Sequence, residues 1–121
     1  MSKIIIYHKP TCSTSRKAFK LLQEKNIEFR TVKYYEEKFT KSKLKSLLKK
    51  MKLEPAELLR KKENAYKELN FKNNKYKKDE IIDFMVSNPD LIERPIIETS
   101  EIALLGRPLE NLEEFLNKNK F

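Results

Sequence analysis

One cysteine, one histidine, one glycine and no tryptophan stand in this sequence, and each scarcity removes a class of chemistry. A lone cysteine forms no internal disulfide, and with a lone histidine it falls short of a zinc site, so no metal is expected. Phosphate-cradling and dinucleotide-binding loops need several glycines, whereas this chain has only Gly106. A cysteine–histidine–asparagine hydrolase places its histidine far along the chain from the thiol, yet His8 lies just before Cys12. A tyrosine-phosphatase-type loop carries an arginine where this sequence has Ala18. No apolar run approaches the roughly 18 residues of a membrane span, and "MSKIIIY" is too short for a signal peptide. The expected compartment is the cytoplasm, with no membrane partner.

What is abundant is positive charge. Lys and Arg total 27 against 18 Asp and Glu, a net charge of +9, which admits nucleic acid, anionic substrates or acidic partners. Lysine fills nearly every basic position, and Asn and Ile are frequent, as an AT-biased coding sequence produces. The excess therefore reads as a solvated lysine surface, which argues against nucleic acid. The same bias makes the five arginines informative: Arg16, Arg30, Arg60, Arg94 and Arg107 mark candidate positions where a planar fork of donors is needed and an ammonium does not serve.

With 121 residues, 39% hydrophobic and 37% charged, the chain fits one domain over residues 1–121. "KIIIYH" (Lys3 to His8) is a continuous β-branched run, the mark of a strand covered on both faces. "PTCSTSR" breaks it, and from Ser13 apolar residues recur at helical spacing up to Asn26. "IEFRTVKYY" (Ile27 to Tyr35) alternates as a second, parallel strand. From about residue 40 to 90 the pattern is helical. Thr40 is an N-cap ahead of Leu44, Leu47, Leu48 and Met51, and "AELLR" is a short helix ended by Arg60, whose cation suits a helix C-terminus. "KKDEIIDFMVSNP" turns Ile81, Ile82, Phe84 and Met85 inward. "RPIIET" and "IALLG" form a hairpin, and "PLENLEEFLNKNK" closes with a helix. This order, β-α-β, a helical insertion, then β-β-α, describes an α/β thioredoxin-like fold with a mixed four-stranded sheet.

Cys12 falls where the first helix begins. Backbone N–H groups without intrahelical acceptors point to that end, and the helix dipole favours an anion there, so the thiol pKa is expected to be lowered. Ser15, one turn on, is placed to donate its hydroxyl to the sulfur, and Arg16 to add charge. What remains open is thiol redox chemistry or thiol attack on a small oxyanion. With no second cysteine, any adduct on Cys12 is released by an external thiol. Arg94 and Arg107 each precede a proline, which biases them toward extended conformations. In thioredoxin-like folds the strand beside the thiol begins at a cis-proline, for which Pro95 is the candidate, and this brings Arg94 next to Cys12. Three guanidiniums, Arg60, Arg94 and Arg107, converging on one thiolate make a cradle for a tetrahedral anion.

The motifs "YHKPTCSTSRKA", "LLRKKENAYKEL", "LIERPII" and "GRP", in that order along almost the whole chain, resemble those of the glutaredoxin-coupled arsenate reductases of the ArsC family. The resemblance implies that Cys12 attacks arsenate or a similar oxyanion, that Arg60, Arg94 and Arg107 bind it, and that Ser15 lowers the thiol pKa. It places His8 in the loop that shapes the site. The resemblance further implies no bound cofactor, glutathione as the co-substrate and glutaredoxin as the reducing partner. Two positions depart from the family pattern "HNPxCGTSR": Lys9 replaces Asn and adds charge, and Ser13 replaces Gly and alters how closely backbone approaches ligand. Two alternatives share the fold: an Spx-like regulator binding RNA polymerase, although "CSTS" lacks that group's usual C-x-x-C switch, and a glutathione-dependent thiol oxidoreductase that would not need three arginines.

Overall fold

The computed structural model describes residues 4–119. Lys3, expected to open the first strand, and Lys120, expected in the last helix, lie outside the described residues. In chain order the elements are β1 (Ile4–Tyr7), α1 (Ser13–Glu24), β2 (Phe29–Val32), α2 (Lys41–Met51), α3 (Asn64–Glu68), α4 (Lys78–Ser87), β3 (Ile96–Glu98), β4 (Ala103–Leu105) and α5 (Leu109–Asn119). They fall into two compact units: residues up to Glu37 together with those from Arg94 onward, and residues Lys38–Glu93.

The first unit is built on a four-stranded sheet of order β2-β1-β3-β4. β1 runs parallel to β2 and antiparallel to β3, with Ile6 opposite Thr31 on one side and Ile97 on the other. Ile4 and Ile6, two residues apart on β1, bury their side chains with Ile97 of β3, Ala18 and Leu22 of α1, and Leu112 and Leu116 of α5. The two-residue spacing on the strand and the four-residue spacing on each helix put these side chains on single faces. Two helices thus close over a mixed sheet, and the fold is thioredoxin-like.

β2 is shorter than its alternating pattern suggests. Asn26 takes a left-handed φ of 55° and the Ile27 N–H turns back to the Leu22 carbonyl at 3.2 Å, which caps α1 and holds Ile27 out of the ladder. At the other end, the N–H groups of Glu36 and Glu37 both return to the Lys33 carbonyl. The β3–β4 hairpin manages without a turn glycine. Thr99 N–H donates to the Ile102 carbonyl at 2.8 Å, and Thr99 Oγ1 accepts from Ile102 N–H at 3.1 Å. The one glycine stands after the hairpin for a different reason: Gly106 N–H donates to the Pro95 carbonyl at 2.9 Å, and a Cβ at position 106 would meet Pro95 Cγ at 2.9 Å. The Arg94–Pro95 and Arg107–Pro108 peptides are both cis.

In the second unit Thr40 caps α2, accepting from Lys43 N–H at 3.0 Å, and Leu44, Leu47 and Leu48 form its buried stripe. α4 buries Ile81, Ile82 and Met85. Phe84, expected inward with them, is half-buried and packs edge-on against Tyr76 and Phe71, with centroids 4.7 and 5.8 Å away. The "AELLR" helix needs correction. It is a 3-10 turn, Pro55–Leu58, and the chain then runs extended: Leu59 bridges Ile92, and Arg60 N–H donates to the Leu91 carbonyl at 2.7 Å. Leu58 and Leu59 are both buried, which an extended segment between two neighbours achieves and a short surface helix does not. Arg60 therefore caps no helix. Among the described residues no helix is long and apolar enough to cross a membrane.

Candidate active site

Cys12 is the N-cap of α1, in extended conformation at φ −93° and ψ 123°. β1 ends at Tyr7, and the loop after it turns at Pro10 and folds on itself. Cys12 N–H donates to the Lys9 carbonyl at 3.0 Å, and Arg16 Nη1 reaches back to the Pro10 carbonyl at 2.8 Å. The sulfur so placed meets the backbone N–H groups of Thr14 and Ser15, and the Arg94 side chain hydrogen-bonds to it.

Burial pushes the Cys12 thiol up. The Ser15 N–H, the Arg94 hydrogen bond and charge, and the Thr14 N–H outweigh it and bring the pKa below the ordinary value. Arg94 supplies this contact from a buried position, only 6% exposed, at the cis peptide that starts the segment leading into β3. A guanidinium is the cation suited to such a place, since its delocalised charge is more weakly hydrated than an ammonium.

Ser15 contributes differently from its sequence reading. It is fully buried, but its hydroxyl is engaged by His8 Nδ1 at 2.6 Å and by Lys9 N–H at 3.0 Å; the sulfur is served by its backbone N–H instead. The His8 ring stacks on Phe19 of α1, centroids 4.9 Å apart at 22°, and Phe19 meets Phe29 edge-on at 5.2 Å. Burial, then the charges of Lys33 and Arg16, hold the imidazole pKa below its ordinary value, so the ring is neutral at pH 7. Ser15 is thus a brace between the end of β1 and the first turn of α1. Ser15→Ala strips buried partners from a backbone donor and an imidazole nitrogen, and is expected to lower unfolding free energy in urea by about 1–3 kcal/mol.

Arg107, at the second cis peptide, donates from Nη2 to Thr14 Oγ1 at 2.9 Å. Sequence reasoning missed Thr14, because a threonine in a first turn carries no signal of its own. It missed also the buried diagonal pair of Tyr7 and Glu98 across β1 and β3, in which Tyr7 Oη donates to Glu98 Oε1 at 2.6 Å. Burial and that carboxylate push the phenol far up, so Tyr7 serves as a neutral donor beside the loop. The site residues Cys12, Ser15, His8, Arg94 and Arg107 all belong to the first unit. Arg60 belongs to the second, where Nε donates to Glu63 Oε1 at 2.8 Å and Nη1 to Glu93 Oε1 at 3.2 Å. Carboxylates on two sides fix the plane of its guanidinium.

This arrangement matches known proteins along nearly its whole length. The "Arsenate reductase" of Neisseria meningitidis serogroup A is 39% identical over 96% of this chain and 100% of its own. A protein of Escherichia coli strain K12 named "Uncharacterized protein YfgD" is 40% identical over 94% of this chain and 97% of its own. The solved structure titled "Arsenate reductase from Vibrio cholerae" superposes with a TM-score of 0.88 at 37% identity, covering 93% of this chain and 97% of that one. The ArsC family model matches residues 7–115, a span that holds the thiol, both cis-proline arginines and Arg60, and so this chain belongs to the ArsC family.

Proposed function

We propose that the protein reduces arsenate to arsenite, with Cys12 as nucleophile and glutathione and glutaredoxin as external thiol donors. The observation that carries the reading is a single thiol held below its ordinary pKa by two backbone N–H groups and a buried guanidinium. A thiolate in that setting is ready to attack an electrophile, and the donors around it suit an anion. The names of the relatives in Neisseria meningitidis and Vibrio cholerae support arsenate as that anion.

In the proposed reaction Sγ displaces water from arsenate and forms an S–As bond, while Arg94 and Arg107 hold the oxyanion. The family pattern assigns Arg60 the same duty, and it is carried here on that ground. Glutathione supplies the second sulfur. The two sulfurs together give two electrons to arsenic, arsenite departs, and a Cys12–glutathione disulfide remains. Glutaredoxin takes over that disulfide by exchange and returns the thiol. Nothing in the chain resolves the adduct internally, since Cys12 is its only cysteine.

The test is arsenite formation by the purified chain supplied with arsenate, glutathione, glutaredoxin and a reductant for glutathione disulfide. Turnover that disappears on omission of either glutathione or glutaredoxin supports the reading. Full thiol–disulfide exchange on a glutathionylated peptide with no arsenite would replace it by the oxidoreductase alternative.

A further inference from the structure

Thr14 touches both the sulfur and an arginine. Its backbone N–H faces Cys12 Sγ and its Oγ1 accepts from Arg107 Nη2 at 2.9 Å. Arg107 comes from the segment between β4 and α5, remote in sequence, and is half-buried. An arginine on a long side chain has many rotamers to lose when it binds an anion.

We infer that Thr14 is a positioning residue: its hydroxyl fixes the Arg107 guanidinium in register with the sulfur before the oxyanion arrives. A guanidinium carries five N–H donors in a rigid fork, so a bond to one of them orients the plane. The thiolate, by contrast, is served by the Thr14 backbone, which a side-chain substitution leaves in place. The two duties of this residue therefore separate by mutation. Thr14→Val keeps the shape and the N–H but removes the acceptor; Thr14→Ser restores it.

The inference rests on the oxyanion reading above, and the experiment separates the two. Cys12 in the full chain is alkylated with iodoacetamide across pH, with and without arsenate, and arsenate turnover is measured alongside. For Thr14→Val, loss of one charge-assisted hydrogen bond should raise the arsenate concentration giving half-protection, and KM, by about tenfold. The pH midpoint of alkylation should stay unchanged and kcat fall less than KM rises. Thr14→Ser should return both to the original values. Undiminished protection in Thr14→Val, or an upward shift of the alkylation midpoint matching the loss of protection, overturns the positioning role and leaves the reductase reading intact. Protection by arsenate without turnover in the unsubstituted protein overturns the reductase reading and leaves Thr14 in its role. No protection of the unsubstituted protein overturns both.

Discussion

Cys12→Ser is expected to lower arsenite formation by roughly 10⁴-fold or more, the scale on which removing a nucleophile acts when it works as a unit with its neighbours. The Thr14 and Ser15 N–H groups and Arg94 lower the pKa of a thiol. They cannot ionise an alcohol at neutral pH, because its intrinsic acidity is too weak for that shift. The substitution is nearly isosteric and the N-cap survives, since serine is itself a favoured cap. Thermal unfolding should therefore stay close to that of the parent while iodoacetamide labelling falls to zero, Cys12 being the sole cysteine. Arsenite formation within tenfold of the parent would remove Cys12 from the chemistry.

Arg94→Ala is expected to have the next largest effect. It deletes both the hydrogen bond and the charge that lower the Cys12 pKa, and burial, which acts the other way, remains. The alkylation midpoint must therefore move to higher pH, so that less thiolate is present at pH 7. With the loss of the oxyanion contact proposed for Arg94 added, kcat/KM should fall by about 10²–10³. Arg94→Lys keeps the charge without the fork and should land between. The same linkage gives a sign for stability. A thiol that ionises more readily folded than unfolded adds stability that is full above its ordinary value of 9.0 and is lost as pH falls through the lower, folded value. Arg94→Ala should flatten that dependence in urea titrations between neutral pH and about pH 9.5. An alkylation midpoint that does not move would show that Arg94 is not what sustains the thiolate.

The parts of this molecule that were legible in advance are those set by periodicity and by chain-breaking residues. The isoleucine run of β1, the helical spacing after Ser13, the Thr40 cap and the Arg–Pro pairs each write a local physical preference into the sequence, and the elements follow. What stayed hidden depends on which atom of a residue is used. Spacing put Ser15 on the same side as the sulfur, but it does not distinguish the hydroxyl from the N–H, and the nearby imidazole competes for the hydroxyl. Arg60 misled for another reason. Its pattern after "AELL" is helical by propensity, but burying Leu58 and Leu59 together called for an extended chain paired with residues 91–93. Thr14 was invisible because its partner lies 93 positions away.

The face contact between His8 and Phe19 also offers a means of observation. With no native tryptophan anywhere, an indole introduced as Phe19→Trp would be the sole emitter of its kind and would lie flat on the ring that braces the thiol loop. Each successive covalent state of the sulfur could then be followed by fluorescence in real time, in a stopped-flow cell, without a dye.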